Sequence, residues 1–235
     1  MSIVPYRDTR KRRERKQLDR QQIVKGALAL LDEVGLDGLT MRSLAEKLGV
    51  QAASLYRHVR DKQELLILLA DEISAALPPV ETQVGDDRDW KEALGDMARS
   101  YRQVLLSHRD GARLLSETWP AGPERLLRIE ALLELLIAAG FSPQDAVRAS
   151  YHFNNLVTEF VADEARMATA ADVAGATQSE LIEGAREQYK ALPEAEFPNL
   201  TRYADYMVNG DSDALFQFGL DLCINGLESF RRPAP

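Results

Sequence analysis

The chain has 235 residues, 45% of them hydrophobic and 28% charged, the balance of a globular protein of one or two domains with a substantial core. No apolar run approaches ~20 residues without a charge, so no membrane span is expected, and the basic N-terminus lacks the apolar stretch of a signal peptide. The single cysteine, Cys223, excludes an internal disulfide and a cysteine-rich zinc site and suits a reducing cytoplasm. It falls in an apolar helical pattern and reads as a small core residue.

The net charge of −8 hides an asymmetry. Residues 1–62 hold 14 Lys and Arg against 8 Asp and Glu, a balance of +6; the remainder stands at −14. Such a chain can hold phosphates with its head while its body repels them. The densest basic run is Arg10-Lys11-Arg12-Arg13-Glu14-Arg15-Lys16. Residues 1–17 read either as an arm that tracks phosphates or enters a minor groove, or as a solvated helical extension.

The rest of the chain reads as all helix. Asp19 with Gln22 forms a capping-box start, and the first helix runs to about Val34, where Gly35 ends it. Thr40 is an N-cap. Leu44, Ala45 and Leu48 then recur at helical spacing, and Gly49 sits where a left-handed C-cap is wanted. Val50 turns inward. Ala52, Ala53 and Ser54 are small, so the next helix can approach another surface closely. Leu55 and Val59 anchor that helix, leaving Tyr56, Arg57, His58 and Arg60 outward. This is the layout of a helix-turn-helix, whose second helix enters the major groove of DNA. An ordinary helical hairpin with a solvated basic face has the same local pattern.

Asp61 with Glu64 starts a fourth helix that should reach Ala76 before Pro78-Pro79 stop it. It is read as the sole connection between head and body. Asp89 opens a fifth helix to about Ser107. A short helix over 111–116 follows, then a loop, Trp119-Pro120-Ala121-Gly122-Pro123. The seventh helix spans about 124–139, and Ser142-Pro143 open an eighth to about Met167. Residues 169–178, rich in Ala, Gly, Thr and Asp, are expected to form a mobile loop. Helices follow at 179–191 and at 213–230, with shorter helical structure over 199–207 between them.

Met97, Tyr101, Leu105, Leu115, Trp119, Leu132, Leu136, Phe153 and Leu156 recur at helical spacing in the body. Each reads singly as core; together they could line a cavity between helices. Thr118, His152, Asn154, Asn155 and Glu159 are its candidate polar groups. His108 precedes an Arg109-Asp110-Gly111 turn and is read as ordering that turn rather than holding a metal.

Several stretches resemble one family. They are Ala27-Leu28-Ala29-Leu30-Leu31, Gly35-Leu36-Asp37-Gly38-Leu39-Thr40, Leu44-Ala45-Glu46-Lys47-Leu48-Gly49-Val50, Ser54-Leu55-Tyr56-Arg57-His58-Val59 and Lys62-Gln63-Glu64-Leu65-Leu66. Together they look like the DNA-binding region of the TetR family of bacterial transcriptional regulators. Tyr101-Arg102, His108-Arg109-Asp110-Gly111-Ala112, Ala139-Gly140-Phe141-Ser142, Phe218-Gly219-Leu220 and Gly226-Leu227-Glu228 resemble the ligand-binding half of its tetracycline repressor subgroup. The likeness is weakest over 169–209.

The resemblance implies an all-α protein. A helix-turn-helix domain would span 18–64, with helix four continuing to about 77, and a helical-bundle ligand-binding and dimerisation domain would span 78–235. It implies a cytoplasmic homodimeric repressor on a near-palindromic DNA operator, released by a small-molecule effector. It maps DNA contacts onto Thr40, Met41, Arg42, Gln51, Ala52, Ala53, Ser54, Tyr56, Arg57, His58 and Lys62. Tyr56 and Lys62 would grip phosphates; Arg42 and Arg57 would reach guanine edges. The ligand set would be Met97, Tyr101, Leu115, Thr118, Trp119, Leu132, Phe153, Asn154 and Glu159. The dimer set would be Ala149, Phe153, Val157, Phe216, Leu220, Ile224 and Leu227.

One departure stands out. Tetracycline repressors chelate a magnesium–drug complex, and their chelating positions fall here near Pro79 and on Met97, Tyr101 and Leu115. Met and Leu cannot serve a hard cation. A largely apolar effector, no magnesium and no cofactor are therefore expected. Two other readings remain: an enzyme using Glu159, His152 or Asp163 in the same cavity, and a DNA-architectural protein without a ligand. No Gly-rich phosphate loop, nucleophile elbow or paired metal motif supports the first.

Overall fold

A computed structural model describes residues 18–79, 89–208 and 210–231, all as helices and their connections, without a strand among them. The basic run of residues 1–17 lies outside the described residues.

The N-terminal unit is built from α1 (Arg20–Gly38), α2 (Met41–Leu48), α3 (Ala52–Leu55) and the first half of α4 (Lys62–Ala75). Asp19 accepts the Gln22 amide at 2.8 Å and closes the expected capping box. Thr40 accepts from Ser43 N at 3.0 Å, with the serine hydroxyl answering back to Thr40 N. The apolar stripes of these helices meet in one core. Ile23, Ala27, Leu31, Leu39, Leu44, Leu55, Leu65 and Leu69 are each 0% exposed. Burial of each leucine or isoleucine contributes ~1.5–3 kcal/mol. That core fixes α3, a helix of 4 residues, which is far too short to persist alone.

The body comprises α5 (Trp90–Leu106), α6 (Gly111–Glu117), α7 (Pro123–Ala138), α8 (Pro143–Ala174), α9 (Gln178–Lys190), α10 (Pro198–Arg202), α11 (Ala204–Met207) and α12 (Ser212–Glu228). The second half of α4 packs on α6 and α7; α8 runs against α5, α6, α7 and α12. Asp61, Asp89 and Ser142 cap α4, α5 and α8 as their positions suggest.

Four boundaries differ from the sequence reading. Gly35 breaks α1, but the chain resumes one more helical turn to Gly38; Gly35 itself has φ 71° and ψ 177°. Helix α8 does not stop near Met167. It continues through 169–174, because the run Thr-Ala-Ala-Asp-Val-Ala is helix-compatible and Gly175 supplies the C-cap. The expected loop over 169–178 thus shrinks to the few residues before Thr177, which caps α9 with Glu180. The stretch 199–207 splits into α10 and α11, and the last helix ends at Glu228 rather than Phe230.

Candidate functional site

The head's outward face is α2, the turn and α3. Gly49 adopts φ 66° and ψ 32°, and the amides of Gly49 and Val50 close α2 onto Glu46 O and Ala45 O at 3.1 and 3.0 Å. The left-handed residue turns the chain so that α3 projects away from the core. Arg42, Gln51, Ala53, Tyr56, Arg57 and Lys62 are exposed, and Ala52, Ser54 and His58 are half-buried. Thr40 is exposed, with its hydroxyl committed to capping. Met41 departs from the expectation. It is 9% exposed, since the first residue of α2 turns into the core, so its side chain is no DNA contact. Arg42 pairs with Glu46 at 3.0 Å; an exposed pair of this spacing is worth only ~0.3–0.5 kcal/mol, so a phosphate or base can take the arginine.

Head and body meet at a polar clasp as well as through α4. Asp110 Oδ2 accepts the Leu36 amide at 2.7 Å, just past the Gly35 break. Arg113 forks onto Asp37 at 2.8 and 3.0 Å and holds its carboxyl below the usual carboxylate range. The His108 ring lies 3.3 Å from the Asp32 carboxylate, which also accepts from Arg109 N. His108 thus joins the clasp beyond its own turn. The reading of α4 as sole connection is corrected: the end of α1 is tied to the α5–α6 turn.

A cavity of about 950 Å³ lies between α4, α5, α6, α7 and α8, near the upper end of ordinary ligand pockets. Met97, Tyr101, Leu115, Thr118, Trp119, Leu132, Phe153, Asn154 and Glu159 all line it. Trp119 stands at its mouth, 80% exposed. Tyr101 Oη donates to Asn154 Oδ1 at 3.3 Å, and desolvation raises the Tyr101 pKa. Ser74, Leu77, Pro78 and Pro79 bring the C-terminal end of α4 to the same wall. His152 and Asp163 are exposed and are not part of the lining; Asp163 pairs with Arg166. The three groups of the enzyme reading are therefore not brought together.

Sequence reasoning missed Arg125 and Arg128, which also line the cavity. Their spacing on α7 was the available signal, but arginine in a charged helix reads by default as a solvated face. Donor chemistry at the chelating positions does not suit magnesium. Met97 and Leu115 offer thioether and alkyl groups where a hard cation needs oxygen or imidazole.

The dimer set is corrected as well. Ala149, Phe153, Val157, Phe216, Leu220 and Ile224 are at most 7% exposed within a single chain, and Leu227 packs against the same core. The first six close the protomer's own interior and leave no outer contact surface, while Leu227 is half-buried at its edge. The outward apolar stripe of α12 is instead Leu215, Phe218 and Leu222, which are 54–63% exposed.

Comparison with known proteins covers both halves. Residues 23–69 match the family of bacterial regulatory proteins, tetR family, and residues 84–231 match the tetracyclin repressor-like C-terminal domain. The tetracycline repressor protein class C of Escherichia coli is 36% identical over 214 residues, 91% of this chain and 92% of the relative. The TetR family protein ActR of Streptomyces coelicolor, solved in complex with actinorhodin, superimposes with a TM-score of 0.82 at 32% identity, covering 94% of this chain and all of that one. TetR (class A) in complex with anhydrotetracycline and magnesium gives 0.63 at 32% identity, covering 92% and 100%. With head and body each matched, and whole relatives aligned nearly end to end, the chain belongs to the TetR family of bacterial transcriptional regulators.

Proposed function

We propose that the protein is a cytoplasmic homodimeric repressor that leaves a near-palindromic operator when a small, largely apolar effector fills the cavity, without magnesium. The observation that carries this reading is the placement of α4. Its N-terminal half packs in the head's core against α1, and its C-terminal end forms one wall of the cavity. The helix has 14 residues, a lever of about 21 Å. An effector can shift the heads only by binding one head spacing better than another. Filling the cavity while α4 leans one way supplies that difference. The division into a head over 18–64 and a body from 78 onward follows the same hinge.

The two heads would sit on successive major grooves only if two chains pair by a twofold axis. The stripe Leu215, Phe218 and Leu222 supports that pairing. Two relatives bear the name repressor or a bound small molecule in their descriptions, and that supports the ligand-released reading by analogy.

The test has two stages. Binding sites are selected from random DNA with the purified protein; a near-palindrome should emerge. Small molecules are then screened for release of that DNA, with and without a chelator. Failure to select any preferred sequence would refute the regulator reading. A response abolished by the chelator would refute magnesium independence.

A further inference from the structure

Arg125 and Arg128 stand one turn apart on α7, and a purely apolar ligand gives them nothing to do. Arg125 is only 9% exposed. Its Nη1 donates to Thr118 O and Oγ1 at 3.0 and 2.8 Å, and its Nη2 to Leu115 O at 3.1 Å. Arg128 donates to Leu77 O and Pro78 O. Every acceptor is neutral, and all but the Thr118 hydroxyl are carbonyls at the C-terminal ends of α6 and α4. Among the described residues, no carboxylate accepts from either guanidinium.

A cation is favourable at a helix C-terminus, but one buried and one half-buried guanidinium with no carboxylate bonded to either are a costly way to hold two helix ends. Desolvation pulls both arginines below their ordinary pKa. Asp96 and Glu159 share the cavity lining, and Asp71 and Glu124 favour the charged arginines only through space; none of the four hydrogen-bonds a guanidinium of the pair. Asp71 hydrogen-bonds Arg125 only at its backbone amide, 3.0 Å away. Asp96 bonds Arg99 at 2.8 Å, and Glu159 is exposed on α8.

We propose that the effector is an organic acid, whose anionic group seats on Arg125 with Arg128 as second donor while its apolar body fills the rest of the cavity. This deepens the reading of the cavity as the effector site and rests on it. Guanidinium is the group best shaped to receive a carboxylate or sulfonate, through paired charge-assisted hydrogen bonds. The same bonds connect the ligand to the lever. Each donor that turns to the acid is withdrawn from the last carbonyls of α6 or α4, so the anion loosens the two helix ends that wall the cavity.

The test uses a matched fluorescent pair on the full-length, DNA-free protein: anilinonaphthalene sulfonate and its uncharged parent, N-phenylnaphthylamine. The sulfonate should bind at least about tenfold more tightly than the parent, the worth of one charge-assisted contact. Arg125→Met should erase that advantage and leave the parent's affinity within about twofold, whereas Arg125→Lys should keep most of it. If Arg125→Met is unfolded by circular dichroism, Arg128→Met carries the same comparison. The proposal is overturned if the folded Met variant retains the full advantage, or if the parent binds the wild type as tightly as the sulfonate. In that last case the cavity remains a ligand site and only the acid is lost. If neither probe binds at all, the effector-cavity reading fails with it.

Discussion

Replacing Gly35 with Ala attacks the clasp between head and body at its tightest point. Gly35 sits at φ 71° and ψ 177°, a region almost restricted to glycine, where another residue costs ~1–3 kcal/mol. A Cβ there would lie 2.7 Å from Asp110 Oδ2, the atom that accepts the Leu36 amide. Asp110 cannot easily withdraw, because its own backbone is held left-handed at φ 56°. Losing that charged acceptor adds ~1.5–3 kcal/mol. The two terms give a total of ~2.5–6 kcal/mol. Gly49→Ala is the control. Gly49 also has a positive φ of 66°, but nothing lies within 4 Å of its absent Cβ, so only the backbone term of ~1–2 kcal/mol applies. Denaturant unfolding of the two variants, with hydrogen exchange at the Leu36 amide, separates the contributions. Equal losses in the two variants, with Leu36 still protected, would show that the clasp contributes nothing to stability.

Four further outcomes are expected. Arg57→Ala should relax one operator position at ~1–3 kcal/mol, while Lys62→Ala should weaken all sequences evenly and flatten the salt dependence; unchanged titrations for both would refute the placement of the DNA-reading face. Leu222→Glu, on a side chain 61% exposed, should give folded monomers in sedimentation, whereas Leu220→Glu should unfold the protomer by forcing a carboxylate into its core; a Leu222→Glu dimer would count against the α12 stripe. Trp119→Ala should weaken effector binding at the cavity mouth and change stability by less than ~0.5 kcal/mol, with effector-free DNA affinity intact. Arg113 depresses the Asp37 carboxyl, so the stability this pair contributes is fully present above the ordinary carboxylate value and is lost as pH falls through the depressed one. Arg113→Gln should therefore differ from wild type at neutral pH and converge with it in acid; a difference that persists at low pH would assign the effect to packing.

The helices were legible where local chemistry dominates. Capping pairs such as Asp19 with Gln22, and punctuation such as Gly49 and Ser142-Pro143, act within a few residues and leave a direct mark on the sequence. The extension of α8 past Met167 was not legible, because its Ala-rich tail has helical propensity but almost no apolar stripe, and α9 buries no residue at all. Burial direction was the second blind spot. Phe216, Leu220 and Ile224 are apolar at helical spacing, and so are Leu215, Phe218 and Leu222. Periodicity identifies two stripes on α12 without saying which faces inward; only packing against α5 and α8 decides. Arg125 was hidden for a related reason. Its acceptors are two main-chain carbonyls and one threonine hydroxyl, with no acidic residue type to pair with it.

Arg125 also carries two separate duties on two separate sets of atoms. Its backbone amide holds Asp71 of α4, beside Gly122, where any side chain would overlap that carboxylate. Its guanidinium faces the cavity and the end of α6. On the proposed reading, a substitution at this position alters what the cavity recognises but leaves the amide that holds Asp71 of α4. A lineage can therefore drift toward a new effector, one side chain at a time, without first losing the mechanical link that makes an effector matter. Changes of loop length ahead of α7 have no such freedom, because inserting or deleting a residue beside Gly122 displaces the amide from Asp71 and removes that bond whatever the side chains are.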